Sequence, residues 1–112
     1  MLRKKLAGAA VMAVVLLAAS TSMFAADAGA GKDVYLKKCK ACHAEDGHGN
    51  EGMAKALKTT ITPLDSDAVQ SKSDADLKTT ITEGKGKMKP VTGLSDAEIA
   101  NVIAYVRGFK KK

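Results

Sequence analysis

Cys39-Lys40-Ala41-Cys42-His43 is the stretch of this sequence that says most about its fold. Two cysteines three positions apart lie on one side of a helical turn, where their thiols can form thioethers with the two vinyl groups of a porphyrin. The histidine that follows directly can then bind the iron as the proximal ligand. The pattern therefore predicts one covalent c-type haem, attached through Cys39 and Cys42, with His43 on the iron.

Three other interpretations of the same stretch stay open. A thioredoxin-like redox pair would need a βαβ pattern around the cysteines, and none is visible. Half of a zinc site would need further ligands, and His48 is too near in sequence for the usual spacing. A single structural disulfide is the third interpretation, since exported proteins form such bonds.

The second axial ligand has three candidates. Met88 lies in a loop rich in glycine and lysine, which can pass over the opposite face of the haem. A thioether sulfur suits low-spin haem iron and raises its reduction potential. Met53 would require the chain to double back sharply, so we interpret it as a packing residue. His48 follows His43 too closely to leave the proximal side. Met88 is therefore the predicted ligand, and an open coordination position remains the other possibility.

The N-terminal segment has the order of a secretory signal peptide. A positive start is followed by an uncharged apolar run over residues 6–19 and then by small residues. We expect residues 1–28 to be removed, with the cut anywhere between residues 26 and 30. Small residues at −3 and −1 favour cleavage after Ala28 or Ala30, whereas a cut after Ala26 would place bulky Phe24 at −3. An uncleaved membrane anchor is the alternative, although the apolar run is short for one. The positive residues are Arg3, Lys4 and Lys5.

Length and composition limit the remainder to one small domain. The chain has 112 residues, 4% of them aromatic, and two cysteines, which excludes a disulfide-rich miniprotein. A domain over residues 29–112 with so few large apolar side chains needs something else to fill its core, and a buried porphyrin would do so. The net charge is +6, but the few aromatic residues do not alternate with the lysines, so nucleic-acid binding is not expected.

The periodicity of the sequence predicts an all-α fold with long loops. Helices are expected at residues 31–40 and 51–58, with Pro63 interrupting the chain after the second. Ser73 begins a third helix, which Gly84 closes in a left-handed cap. Ser95 and Glu98 form a capping box for a fourth helix, which ends near Gly108. No segment alternates as a strand does.

Taken together, these motifs resemble those of the class I monohaem cytochromes c of the small soluble bacterial type. The resemblance covers nearly all of residues 31–109, and the haem-attachment motif and the methionine loop are its specific parts. The matching residues are Gly31 and Tyr35, Cys39 to His43, Gly47-His48-Gly49, Gly84 to Pro90, Leu94 to Ile99, and Ala104 to Arg107.

The resemblance implies a cytochrome c fold of three to four short helices around one covalent haem. It implies that the first and last helices cross, with Gly31 allowing close approach and Tyr35 packing on Tyr105. It also implies that the His43 Nδ1–H donates to a backbone carbonyl near Pro63. Ala44 stands where the family often has glycine, a departure from which we expect little effect.

The implied function is that of a periplasmic carrier of one electron, with haem c, iron and His/Met ligation, and not that of an enzyme. Expected partners are redox proteins with acidic docking surfaces, attracted by exposed lysines. The mature chain is expected to be a monomer without stable membrane insertion. An open-iron enzyme or gas sensor and a fixed subunit of a larger oxidoreductase are the alternatives. The lysines form two clusters, Lys37, Lys38 and Lys40, and Lys85, Lys87 and Lys89.

Overall fold

Helices joined by long loops make up the part of the chain that the computed structural model describes, residues 25–110. Within these residues no strand forms, and Lys85 and Met88 make an isolated β-bridge. The all-α prediction is confirmed, and two four-residue helices, α2 and α4, add to the four that were predicted. The predicted positive and apolar parts of the export segment lie outside the described residues. The helices are α1 Ala28–Lys38, α2 Lys40–His43, α3 Glu51–Leu57, α4 Asp67–Gln70, α5 Asp74–Glu83 and α6 Asp96–Arg107.

Side-chain caps mark the first residues of α5 and α6, as predicted. Ser73 Oγ accepts a hydrogen bond from the Asp76 amide at 3.0 Å and begins α5. Ser95 and Glu98 complete the predicted capping box of α6. Gly84, which ends α5, differs from prediction, because its φ of 80° is accompanied by an extended ψ of 172°.

Helix α1 begins earlier than residue 31. Its N-cap is Asp27, whose carboxylate accepts from the Ala30 amide at 3.1 Å. This residue lies inside the segment that the sequence patterns assign to the signal peptide.

The crossing of α1 and α6 agrees with what the resemblance implies. A Cβ on Gly31 would lie 1.9 Å from the Asn101 carbonyl oxygen, so only glycine permits this approach. Tyr35 is fully buried beside the crossing, with its ring centroid 5.2 Å from that of Tyr105 and 5.5 Å from that of Phe109.

A second apolar group joins α5 to α6. Leu77, Ile99 and Ile103 form its buried centre, and partly buried side chains surround them. The surrounding side chains are those of Val69, Ile81 and Leu94. Few apolar side chains are buried among residues 25–110, as the composition led us to expect; they are Tyr35, Leu77, Ile99, Val102 and Ile103.

Candidate functional site

The predicted attachment residues lie together on one tight turn. Cys39 ends α1 and is also the N-cap of α2, a single turn that closes on His43. The Cys39 carbonyl accepts from the amides of Cys42, at 3.2 Å, and His43, at 3.0 Å. Both sulfur atoms and the imidazole are thus carried by one short hydrogen-bonded segment, at the spacing that thioether attachment requires.

The two cysteines are free thiols. Burial, and secondarily repulsion by Cys42, raises the pKa of Cys39 to about 11. The Cys39 thiol is therefore protonated at neutral pH before any modification. A protonated thiol at Cys39 does not match a thioredoxin-like thiolate, and in the structure the two sulfur atoms are not joined as a structural disulfide would join them.

His43 has the character of a neutral imidazole ligand. Burial lowers its pKa, so the ring stays uncharged and keeps a nitrogen lone pair. Its Nδ1 atom is buried, and no hydrogen-bond partner for it is found among the described residues. The bond to a carbonyl near Pro63 that the resemblance implies is therefore not formed. The nearby Pro63 carbonyl instead accepts from the Ser66 hydroxyl at 2.6 Å.

Ala44, the residue after His43, adopts a backbone conformation that suits glycine. Its φ of 66° and ψ of 165° lie in a region that side-chain-bearing residues rarely occupy. The Tyr35 hydroxyl donates to its carbonyl oxygen at 2.6 Å and holds it there. The expectation that alanine at this position has little effect is therefore wrong. Sequence reasoning assigned Tyr35 a packing role only, and no sequence signal marked this hydrogen bond.

The loop after Ala44 stays bonded to the attachment turn. The Gly49 amide donates to the His43 carbonyl and the Asn50 amide to the Cys42 carbonyl, both at 2.8 Å. Asn50 also caps α3, its side chain accepting from the Met53 amide at 3.0 Å. Met53 is half-buried on this helix, close along the chain to the proximal ligand.

Both nitrogens of the His48 ring already face carboxylates. Nε2 lies 2.9 Å from Asp65 Oδ2, and Nδ1 lies 3.3 Å from Asp46 Oδ2. Asp65 is largely buried, which fastens the loop to the segment after Pro63. An iron ligand needs a free ring nitrogen, so this arrangement disfavours His48 as the distal ligand.

Met88 lies on a separate segment, a tight turn after α5. The amides and carbonyls of Lys85 and Met88 bond to each other in both directions at 2.9 Å. Gly84 allows the turn to form, since a Cβ there would lie 2.6 Å from the Met88 carbonyl oxygen. The Val91 amide donates to the Ile81 carbonyl at 2.8 Å and returns the chain to α5. The Met88 backbone is thereby fixed, and its side chain is half-buried.

A haem fits the chemistry of these residues. The attachment turn offers two thiols and a neutral imidazole, and an apolar group would complete a core in which few apolar side chains are buried among the described residues. No group of three or more histidine, cysteine or acidic side chains suited to another metal occurs within residues 25–110. In the same part of the chain, no helix is long and apolar enough to cross a membrane.

The comparison with protein families agrees with this chemistry. Residues 26–106 match a family model described as cytochrome c oxidase, cbb3-type, subunit III. The match takes in the attachment turn, the Met88 turn and nearly all of α6.

Curated relatives and a solved structure point in the same direction. The chain is 40% identical to a cytochrome c6 of Picosynechococcus over 94% of its length and 92% of that protein. It is 37% identical to a cytochrome c6 of Leptolyngbya boryana over 72% of its length and 91% of that protein. The c-type cytochrome KustC0563 is structurally similar, with a TM-score of 0.62 and 31% identity, over 72% of this chain and 98% of that one.

Proposed function

The chain belongs to the cytochrome c family, as a small class I monohaem electron carrier, and from this premise we propose that it works in the periplasm with His43 and Met88 as axial ligands. Its cofactor is one covalently bound haem c with its iron, and it is not an enzyme. When bound, the haem supplies the one-electron Fe(III)/Fe(II) couple. The chain's own residues attach it, fill its coordination positions and exclude water from it.

Cys39 and Cys42 are the proposed thioether residues, and His43 is the proposed proximal ligand. The observation that carries this assignment is their placement on one hydrogen-bonded turn, with the imidazole kept neutral by burial. Attachment of a haem would add each S–H across a vinyl double bond, with the sulfur bonding to one vinyl carbon and the thiol hydrogen to the other. A protonated Cys39 is consistent with such an addition.

Met88 is the proposed distal ligand because the other candidates are held elsewhere. Both His48 nitrogens face carboxylates. Met53 follows a loop that is hydrogen-bonded to the proximal turn at His43 and Cys42, which keeps it near the proximal segment. Met88 alone lies on a rigid turn far from His43 in sequence, and a fixed thioether lets iron change oxidation state with little rearrangement.

The location and the partners complete the proposal. The signal-peptide pattern described above predicts removal of residues 1–28, with the cut between residues 26 and 30, and assigns residues 29–112 to the cytochrome domain. We propose a monomeric mature chain that docks redox proteins with acidic surfaces. The two lysine clusters support this, since all six of their side chains are exposed.

The ligand assignment is tested by comparing Met88→Ala with Met53→Ala. Both proteins are produced with haem-attachment machinery, and their visible spectra and reduction potentials are recorded. Met88→Ala should give a high-spin or misligated haem, lose the weak long-wavelength band of thioether-bound ferric iron, and lower the potential. Met53→Ala should keep the parent spectrum, because it removes only packing.

The opposite pattern, with the spectrum changed by Met53→Ala, would make the Met88 assignment wrong. A parent protein that binds carbon monoxide readily would indicate an open iron position. Haem that acid and organic solvent extract from the parent protein would remove the thioether assignment of Cys39 and Cys42.

A further inference from the structure

The position of Asp27 bears on how the proposed signal peptide is removed. Small residues at −3 and −1 favour cleavage after Ala28 or Ala30, and either cut would discard Asp27. In the folded chain, however, Asp27 belongs to the domain, where it is the N-cap of α1.

Three hydrogen bonds depend on Asp27. Its carboxylate accepts from the Ala30 amide at 3.1 Å, and its carbonyl accepts from the Gly31 amide at 2.9 Å. Its own amide donates to Asn101 Oδ1 at 2.8 Å. The first two bonds begin α1, and the third ties the beginning of α1 to α6.

These bonds lie beside the close contact between α1 and α6 at Gly31. Gly31 packs against the Asn101 carbonyl, and the Asn101 side chain reaches back to Asp27. A chain that began at Gly29 would lose all three bonds and leave the first amides of α1 without the partners they have in the structure. A chain that began at Gly31 would also lose the first turn of the helix.

Ala25 and Ala26 precede Asp27, and both are exposed. Each is small enough for the −1 position of a signal peptidase, although Met23 or Phe24 would then occupy −3. Cleavage after either one keeps Asp27 and its three bonds. The α-amine released at Asp27 itself would still be a donor for Asn101.

We propose that a signal peptidase hydrolyses the chain directly before Asp27 or one residue earlier, after Ala26 or Ala25, so that the mature protein retains Asp27 as the cap of its first helix. Water supplies hydroxyl to the new carboxyl end and hydrogen to the new amine. The inference rests on the signal peptide of the proposed function, and the requirements of the fold place the cut at or one residue before the N-terminal limit of the range predicted from the sequence.

N-terminal sequencing of the haem-loaded protein, purified from the periplasm of a bacterial host, is the direct test. A first residue of Ala26 or Asp27 is expected. A first residue of Gly29 or Gly31, or an unprocessed chain, would overturn the proposal. The visible spectrum of the same sample reports on Met88 ligation, so failure of the ligand assignment is seen separately.

A pair of variants tests the same point through processing. Ala28→Leu places a bulky residue at −1 for the cut after Ala28 and at −3 for the cut after Ala30, so processing should continue unchanged if the peptidase acts before Asp27. The double variant Ala25→Leu/Ala26→Leu should instead accumulate precursor or shift the cut downstream. Precursor accumulating with Ala28→Leu, or normal cleavage of the double variant, would contradict the proposal.

Stability measurements test the structural reason for it. Asp27→Ala removes the cap and should lower the melting temperature of the mature holoprotein by about 4 °C or more. Asp27→Asn keeps an oxygen acceptor and should melt near the parent protein. Sequencing confirms that both variants begin at the same residue. Equal melting temperatures for all three proteins would show that retaining Asp27 serves no purpose in the fold.

Discussion

Ala44, the residue after His43, has an unfavourable backbone conformation that contacts with neighbouring residues stabilise. Residues with a Cβ pay about 1–3 kcal/mol in such sparsely populated backbone regions. The Tyr35 hydroxyl contributes a hydrogen bond to the Ala44 carbonyl, and Tyr35 is itself fixed between Tyr105 and Phe109. Burial raises the pKa of Tyr35, so its hydroxyl remains a donor through the neutral and moderately alkaline range. The cluster of Tyr35, Tyr105 and Phe109 thus fixes the backbone of the residue that follows His43.

Replacing Ala44 with glycine should stabilise the holoprotein. The strain energy that glycine relieves should exceed the free energy that its larger loss of conformational entropy costs on folding. We therefore expect the free energy of unfolding to rise by about 1 kcal/mol, or the melting temperature by about 4–8 °C. Thermal unfolding followed by far-ultraviolet circular dichroism measures the change.

Ala54→Gly, within α3, is the matched control for Ala44→Gly. It should lower stability by about 1 kcal/mol, because residue 54 is helical and gains nothing from glycine. If both glycine variants melted at lower temperature than the parent protein, Ala44 would not be strained.

The sequence predicts the roles of individual residues where a chemical motif or a family pattern identifies them. It does not predict backbone conformations and hydrogen bonds that depend on tertiary contacts. Cys39, Cys42 and His43 follow from spacing alone, and Gly31 and Tyr35 follow from the family resemblance. The frequent glycine of the family at position 44 hinted at the backbone conformation of Ala44, but the hydrogen bond that its carbonyl accepts from Tyr35, in α1, could not be foreseen. Nor did the sequence indicate that the buried Nδ1 of His43 has no hydrogen-bond partner among residues 25–110.

At the scale of elements, one hexapeptide occurs in two conformations. Leu-Lys-Thr-Thr-Ile-Thr occupies both residues 57–62 and residues 77–82. The second copy is helical within α5. In the first copy only Leu57 is helical, as the last residue of α3, and Lys58 adopts a left-handed conformation with φ 54°. Pro63 disfavours helix at the residue before it, whereas Ser73 begins a helix ahead of the second copy. The flanking residues therefore determine which conformation the hexapeptide adopts, and they allowed α3 and α5 to be predicted.

Helix α4 was missed because its stability comes from another element. Its four residues have no side-chain cap, and residues of α6, remote in sequence, form hydrogen bonds with the end of α4 and the residues after it. Arg107 donates to the carbonyls of Gln70, at 3.0 Å, and Lys72, at 2.6 Å, and also to the Asp74 carboxylate. The Gln70 side chain donates in turn to the Val106 carbonyl at 2.9 Å.

Arg107→Lys should therefore destabilise the junction of α4 and α5 although it keeps the charge. An ammonium cannot reach both carbonyls and the carboxylate in the geometry of the planar guanidinium. We expect a loss of about 1–2 kcal/mol, measured as a lower urea midpoint of the holoprotein.

Lys78→Gln provides the comparison for Arg107→Lys. It breaks an exposed ion pair between Lys78 and Asp96, which should cost less than about 1 kcal/mol. An Arg107→Lys midpoint equal to that of the parent protein would show that the carbonyl contacts of Arg107 contribute nothing.

At the scale of the whole molecule, we expect the charge distribution to influence which partners approach the haem. The cluster Lys85, Lys87 and Lys89 surrounds Met88, and all three side chains are exposed. If electrons pass near this ligand, the cluster should attract anionic reactants and repel cationic ones, with both effects weakening as salt is added. Composition alone gave the positive sign of the charge, and the Met88 turn shows how the lysines concentrate beside the proposed ligand.

The triple variant Lys85→Glu/Lys87→Glu/Lys89→Glu tests this with two small oxidants of opposite charge. Oxidation of the reduced protein by ferricyanide should slow about threefold or more at low ionic strength, and oxidation by the tris(phenanthroline)cobalt(III) cation should accelerate. Lys32→Glu/Lys72→Glu/Lys110→Glu changes the net charge equally outside both clusters and should alter these rates less. The reduction potential of each protein is measured, so that driving force is separated from attraction. Equal rate changes in the two triple variants would mean that net charge alone acts, and that partners do not select the surface around Met88.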